Sequence, residues 1–312
     1  AVNPYNFQEH LYDKSQPENV AFLQRLRKLM DEYGAKSTVG EIGDSQHQME
    51  VMANYTSGGD KLNMAYTFDY LGGEFSAAHF RKSIDATERE APEGWICLAF
   101  SNHDVVRHIS RWATHGQQEE FTRLACTLLL SMRGSVCLYQ GEELGLTEAE
   151  LAFEDLVDPY GIEFWPQFKG RDGCRTPMVW QTQSPLGGFT TATRAWLPVP
   201  ADHMTKAVDR QLGDPHSVLA HYKAMLAFRR EHPALGKGSI TTLDAPEGVL
   251  AFIRELGGER VYCVFNMSER AAVAQVPAGF TLAPSGAPGI GDEPVEGTLS
   301  LAPFGAYIGI LR

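Results

Sequence analysis

The first two-thirds of the chain alternates between two kinds of apolar spacing. Over residues 17–33, Val20, Leu23, Leu26, Leu29, Met30 and Tyr33 recur on one helical face, with Ser15 before a first-turn Pro17 and Gly34 behind, which predicts a helix. A short strand is expected over 37–42, a helix over 45–54, a strand over 62–70 (LNMAYTFDY) and a helix over 76–86. Residues 95–101 (WICLAFS) are almost continuously apolar, as a strand covered on both faces requires. An amphipathic helix over 118–132 and a fourth strand over 135–139 (SVCLY) follow. Strand and helix in alternation predict parallel strands in an α/β fold. Spacing alone leaves an open sheet and part of a (β/α)8 barrel equally open.

The pattern then breaks. Residues 146–215 are rich in Gly, Pro, Trp and polar side chains with weak periodicity, and a connection of that size is uncommon unless it has work to do. A last helix is expected over 215–231, with Val218, Leu219, Tyr222, Met225 and Leu226 on one face and His232-Pro233 as its stop. From Gly236 onward short strand-like runs at 249–254, 261–266, 271–276 and 306–311 are separated by Gly, Pro, Asp and Glu, which predicts a small antiparallel β domain. The boundary is placed near Leu235, giving domains 1–234 and 235–312.

Composition narrows the function classes. The 312 residues carry a formal net charge of -12, a surface that repels nucleic acid and acidic membranes and suits neutral ligands. No run reaches the ~18–20 apolar residues of a membrane span. The five cysteines, Cys97, Cys126, Cys137, Cys174 and Cys263, form no CxxC pair, which argues against a zinc site. Cys97 and Cys137 lie in apolar strand-like runs and read as reduced core residues of a cytoplasmic protein.

Three places could carry chemistry. Glu41 closes a short strand in TVGEIGD, a costly position for a carboxylate unless it is paired or used. Capping the next helix or pairing with an arginine remains an alternative. Ser101-Asn102-His103-Asp104, then Arg107, follow the most apolar strand; a turn with a helix cap explains part of this cluster, but the histidine adds hydrogen-bonding capacity that a cap does not need. His103 has no partner histidine at ligand spacing, so no metal site is expected. The third place is GRDGCRTPM, residues 170–178, which by itself reads better as a plain surface turn. At the C-terminal ends of barrel strands side chains face an active site, and Glu41 with Asp104 would supply the paired carboxylates that glycoside hydrolysis uses.

These segments resemble the α-amylase clan of glycoside hydrolases, in its α-glucosidase and oligo-glucosidase branch. Val39-Gly40-Glu41 resembles the general-acid strand, and Phe100-Ser101-Asn102-His103-Asp104 the last catalytic-carboxylate region. Residues 139–145 (YQGEELG) resemble the YQGEE(I/L)G strand, and residues 170–180 resemble the branch's arginine segment ending in Trp180. Asn3-Pro4-Tyr5 is similar to a segment that follows the nucleophile strand. The resemblance implies strands five to eight of a (β/α)8 barrel followed by an antiparallel β-sandwich domain.

It also implies roles. Glu41 would be the acid/base, Asp104 the stabiliser of the transition state, and His103 a hydrogen-bonding partner of the same sugar. Arg171 would bind the terminal glucose and close the pocket, and Phe68 would stack on the acceptor sugar. The expected activity is retaining, exo-acting hydrolysis of α-glucosidic bonds in small oligosaccharides, with transglucosylation by the same route.

The departure from the family is large, because its nucleophile motif (GxRxD) is not in this chain. Four strands do not close an eight-stranded barrel, so an N-terminal half of the same enzyme is expected as a partner. No cofactor is expected in this chain, and a structural divalent cation would belong to that other half. Two alternatives remain: a sucrose isomerase, whose arginine-rich motif would stand where Tyr70-Leu71-Gly72-Gly73-Glu74-Phe75 is found, and a non-catalytic transporter-associated homologue, which would have lost its carboxylates.

Overall fold

The computed structural model describes residues 11–43, 47–113, 116–288 and 294–312. The segment Asn3-Pro4-Tyr5 and the expected start of the second helix at Ser45 lie outside them. The expected alternation is present: α1 (Glu18–Asp31), β1 (Val39–Ile42), α2 (Gln48–Thr56), β2 (Met64–Thr67), α3 (Ala77–Glu90), β3 (Cys97–Leu98), α4 (His108–Trp112), α5 (Gln118–Ser131) and β4 (Ser135–Val136).

The four strands are parallel and side by side. β1 pairs with β2 so that Glu41 lies opposite Tyr66. A parallel bridge from Ala65 to Ile96 joins β2 to the next strand, and β3 pairs with β4 through Cys97 and Ser135. Hydrogen-bonded ladders are shorter than the apolar runs that announced them, yet every residue from 96 to 102 is buried. Gly134 is required at the entry to β4: its φ is +120°, and a Cβ there would lie 2.5 Å from the Ile96 carbonyl oxygen.

Helices cover one side of this sheet. Met49 and Met52 of α2, Phe80 and Ile84 of α3, and Leu124 and Leu128 of α5 pack with Ile42, Ala65, Leu98 and Phe100 in one core. Ser76 caps α3 by accepting the His79 N–H at 3.1 Å, a contact that satisfies one of the free first-turn amides.

Two sequence expectations fail at the outer edges. Of the α1 face only Leu23 is buried; Leu29 is 49% and Tyr33 68% exposed. Of the two strand cysteines, Cys97 is buried but Cys137 is exposed. The cause is shared. β1 and β4 each pair on one side only among the described residues, so α1, Val39 and Cys137 have flanks that no other described strand or helix covers.

The irregular segment contains no strand. Short helices α6 (Pro159–Glu163), α7 (Ala201–Met204) and α8 (Val208–Gln211) punctuate it, and Leu144, Leu146, Met178, Val179 and Ala207 form its small core. Next comes α9 (Val218–Glu231), whose cap is Ser217 accepting the Ala220 N–H at 3.1 Å. His232-Pro233 ends it as expected, but the proline also opens a further turn, α10 (Pro233–Lys237), because proline suits a first helical position.

The last part is antiparallel. β5 (Ser239–Leu243), β6 (Val249–Leu256), β7 (Glu259–Asn266), β8 (Ala272–Gln275), β9 (Leu282–Pro284), β10 (Thr298–Leu301) and β11 (Ala306–Leu311) form a five-stranded sheet in the order β5-β6-β7-β11-β9, faced by the pair β8-β10. Alternation along β6 explains the layering. Leu250 and Phe252 join the core shared with the barrel helices, while Val249 and Ala251 pack towards Ala274, Leu299 and Leu301 of the small sheet. Arg254 ties the sheet to the barrel portion: its buried guanidinium donates to the Ser131 carbonyl at 2.5 Å and the Gly238 carbonyl at 2.9 Å.

Candidate active site

Parallel strands bring their C-terminal ends to one rim, and every site residue read from the sequence lies there or in the segment that folds over it. Glu41 is the third residue of β1 and is exposed. Its register neighbour on β2 is Tyr66. Burial pushes the Tyr66 phenol well above the usual tyrosine range, and the Glu41 carboxylate raises it further, while Asn102 acts in the opposite direction. Tyr66 therefore stands between the first and second candidate clusters. Phe68, just past β2, is 41% exposed. Its N–H donates to Gln48 Oε1 at 2.8 Å, and its ring borders Gly43 in the turn after Glu41.

The segment after β3 is a tight polar turn. Asn102 is buried, and its Oδ1 accepts the Asp104 N–H at 2.8 Å, which turns the chain so that the His103 and Asp104 side chains lie at the surface. His103 Nε2 is 3.5 Å from Asp104 Oδ1. The same Oδ1 accepts from Arg175 Nη2 at 2.7 Å and Arg171 Nη1 at 3.1 Å. Arg175 also donates through Nε to the His103 carbonyl at 2.7 Å. The structure thus brings together His103, Asp104 and Arg171, which are far apart in sequence, and adds Arg175.

Arg171 is itself held from below. Its Nε and Nη2 each donate to the Asp158 carboxylate at 2.9 Å, and its own N–H does so at 2.8 Å. Asp158 is buried, and these bonds from Arg171 hold its carboxyl down at about 2. Gly170 permits the approach: its φ is +78°, and a Cβ there would lie 2.7 Å from the Gly161 Cα.

Arg107 plays a different part from the other arginines. It is 1% exposed, and burial lowers its pKa. It donates to the carbonyls of Gln140 at 2.6 Å and Cys174 at 3.0 Å, and its guanidinium lies over the Tyr139 ring. It joins the end of β4 to the arginine segment from beneath. His108 accompanies it: its Nδ1 is 2.9 Å from Ser101 Oγ, and burial pushes its pKa down to about 3. Glu148, which accepts the Arg107 N–H at 2.9 Å, is raised by burial to about 7.

The sequence reading missed Asp158, the bonds of Arg175 and the position of Tyr66. Asp158 was legible only as a helix cap, because an Asp before a first-turn proline is a cap signal. Its partner thirteen residues later has no local signature. No group of three or more His, Cys, Asp or Glu among the described residues is arranged to hold a metal ion.

Chemically, the rim offers an exposed carboxyl at Glu41 and an arginine-held carboxylate at Asp104. It also offers an imidazole at His103 and an exposed ring at Phe68. That set can donate a proton to a leaving oxygen, hold sugar hydroxyls and stabilise positive charge.

The alpha amylase catalytic-domain family matches residues 3–238, and the maltogenic amylase C-terminal domain matches residues 240–308. A probable alpha-glucosidase of Rhizobium meliloti is 51% identical over 98% of this chain and 56% of its own length. An oligo-1,6-glucosidase of Parageobacillus thermoglucosidasius is 29% identical over 85% of this chain and 52% of its own. Among solved structures, an alpha-glucosyl transfer enzyme superposes with a TM-score of 0.92 at 46% identity, covering 99% of this chain and 57% of that one. The trehalulose synthase of Pseudomonas mesoacidophila superposes with a TM-score of 0.80 at 26% identity, over 96% of this chain and 59% of the other. The chain thus spans little more than half the length of the relatives it matches. Its parallel strands are the C-terminal part of the family's barrel, and by sequence, motif order and fold this chain belongs to the α-amylase family of glycoside hydrolases.

Proposed function

We propose that this chain is the C-terminal portion of a retaining, exo-acting α-glucosidase that cleaves terminal α-glucosidic bonds of small oligosaccharides and can pass the glucosyl group to an acceptor. The observation that carries this reading is the carboxylate of Asp104 gripped by Arg171 and Arg175 on the strand-end rim where Glu41 is exposed. Glu41 protonates the leaving oxygen and then deprotonates water or a sugar hydroxyl. Asp104 and His103 bind hydroxyls of the glucosyl ring and stabilise its developing positive charge. Arg171 closes the far end of the glucose site, and Phe68 lines the acceptor side. The nucleophile, by the family's plan, comes from the barrel half that this chain does not contain. That half is the structural partner as well, because β1 and β4 each have an unpaired side among the described residues.

The printed activities of the relatives support α-glucosidase and glucosyl transfer. Sucrose isomerisation is the second reading, supported by the trehalulose synthase fold likeness. Residues 70–75 carry no arginine, which favours hydrolysis. Retention of Glu41 and Asp104 favours an enzyme over a non-catalytic homologue. The barrel portion is assigned to 1–234 and the β domain to 235–312. No cofactor is assigned to this chain, and a structural cation, where present, belongs to the other half. No described helix is long and apolar enough to cross a membrane; a cytoplasmic location is proposed because all five cysteines are free thiols. The test is turnover of maltose, isomaltose and sucrose by the full-length protein. Release of glucose that disappears in Glu41→Gln supports the reading; rearranged disaccharide as the main product supports the isomerase.

A further inference from the structure

We propose that Asp158 is a positioning residue of this site, acting through Arg171 on Asp104; the inference rests on the function proposed above. Asp158 is 1% exposed, and its carboxylate accepts three hydrogen bonds from Arg171, two of them from the guanidinium. This leaves Nη1 as the group directed to Asp104. A guanidinium gripped on its Nε and Nη2 edge has no rotational freedom left, so Nη1 is aimed before substrate arrives.

Asp158 is fixed in turn. Its N–H and that of Val157 both donate to Asp172 Oδ2 at 2.7 Å, and Asp172 is buried. The side chain also caps α6, accepting the Tyr160 N–H at 3.3 Å. Tyr160 then covers the Arg171 guanidinium, 5.1 Å from ring centroid to Cζ. The chain of support runs from Asp172 through the backbone at 157–158 to the Asp158 carboxylate, Arg171 and Asp104.

Charge gives Asp158 a second effect. The Asp158 carboxylate is a direct counter-charge of the Arg171 guanidinium that it grips. Without the Asp158 charge the positive charge of Arg171 would be less compensated beside a ring that itself becomes positive in the transition state. Removing Asp158 therefore raises the barrier more than it weakens ground-state binding, a loss in kcat rather than KM.

The test uses the full-length enzyme with p-nitrophenyl α-D-glucoside, in wild type, Asp158→Asn, Arg171→Ala and the double variant. Asp158→Asn is expected to lower kcat by about 10²-fold, with KM changing much less. In the Arg171→Ala background the same change is expected to cost less than about 2-fold, because its route to Asp104 is already gone. Equal loss in both backgrounds, or a folded Asp158→Asn enzyme with kcat near wild type, overturns the proposal. A readout independent of turnover is the side-chain NMR of Arg171. Wild type is expected to show separate, slowly exchanging Nη protons, and Asp158→Asn averaged ones. Freely rotating Nη groups in wild type would overturn the proposal without any variant. If wild type fails to turn over the glucoside, the functional reading fails, and the NMR result still decides the role of Asp158.

Discussion

Arg175 holds its neighbour Asp104 twice: Nη2 donates to the carboxylate and Nε to the carbonyl of the preceding residue, His103, each at 2.7 Å. One guanidinium thereby fixes both the side chain and the backbone of a turn 71 residues upstream. With Arg171 also on Oδ1, the Asp104 side chain is held in a set orientation. Asp104→Asn in the full-length enzyme keeps the shape and removes the charge. A fall in kcat of about 10²–10³-fold is expected, the scale of a lost electrostatic contact to the transition state. Near-normal kcat would remove Asp104 from the mechanism.

Glu41 makes a different kind of prediction. A general acid matters most when the leaving group is poor. Glu41→Gln is expected to abolish maltose turnover while the first step with an activated aryl glucoside survives as a burst of phenol. Equal loss on both substrates would contradict the assignment.

Arg107 separates scaffold from site. Its removal leaves the carbonyl of Gln140 without a donor in a buried place, at about 1–3 kcal/mol for such an unsatisfied group. It also takes from the Cys174 carbonyl one of its donors, the Tyr139 hydroxyl being another. Arg107→Met is therefore expected to shift the denaturant midpoint strongly. Arg175→Met, with its exposed partner Asp104, is expected to shift it little and to lower kcat. A reversal of that order would show that the two arginines have been given each other's roles.

Much of this was legible in the sequence, for reasons that can be located. Residues 95–101 declared a doubly covered strand, and the turn 101–104 that follows it carries Asp104 to the rim as expected. Glu41, His103 and Asp104 were legible as candidates because they sit at or just past strand ends, and Arg171, in the irregular segment, only through its motif. Asp158 was not, since a long-range ion pair leaves no periodic trace. Cys137 was misread because an apolar run announces a strand but not whether its neighbour is present. The strands β5, β9 and β10 were missed because runs such as Ser239–Leu243 are short and rich in Ser and Thr, and their burial is decided by tertiary packing.

His108 predicts a pH effect on stability. Burial lowers its pKa to about 3, against about 6.5 in an unfolded chain. Between those values the unfolded state binds a proton that the folded state refuses, so its contribution is full above pH ~6.5 and is lost as pH falls, at up to about 1.4 kcal/mol per unit. Glu148, raised to about 7, acts in the opposite sense, so the wild-type curve alone is not diagnostic. The difference between wild type and His108→Gln is diagnostic. The substituted amide has no proton to gain, so the variant's stability relative to wild type is expected to improve as pH falls from about 6.5 to about 5. A pH-independent difference would contradict a buried neutral His108.

The most direct test of the central claim is proton NMR of the anomer first released by the full-length enzyme from p-nitrophenyl α-D-glucoside, whose only sugar product is the transferred glucose. A retaining α-glucosidase built around Glu41 and Asp104 releases α-glucose before mutarotation, and the account predicts that signal first, with none in Glu41→Gln. First release of β-glucose would mean inversion and a different pairing of carboxylates, and would contradict the account.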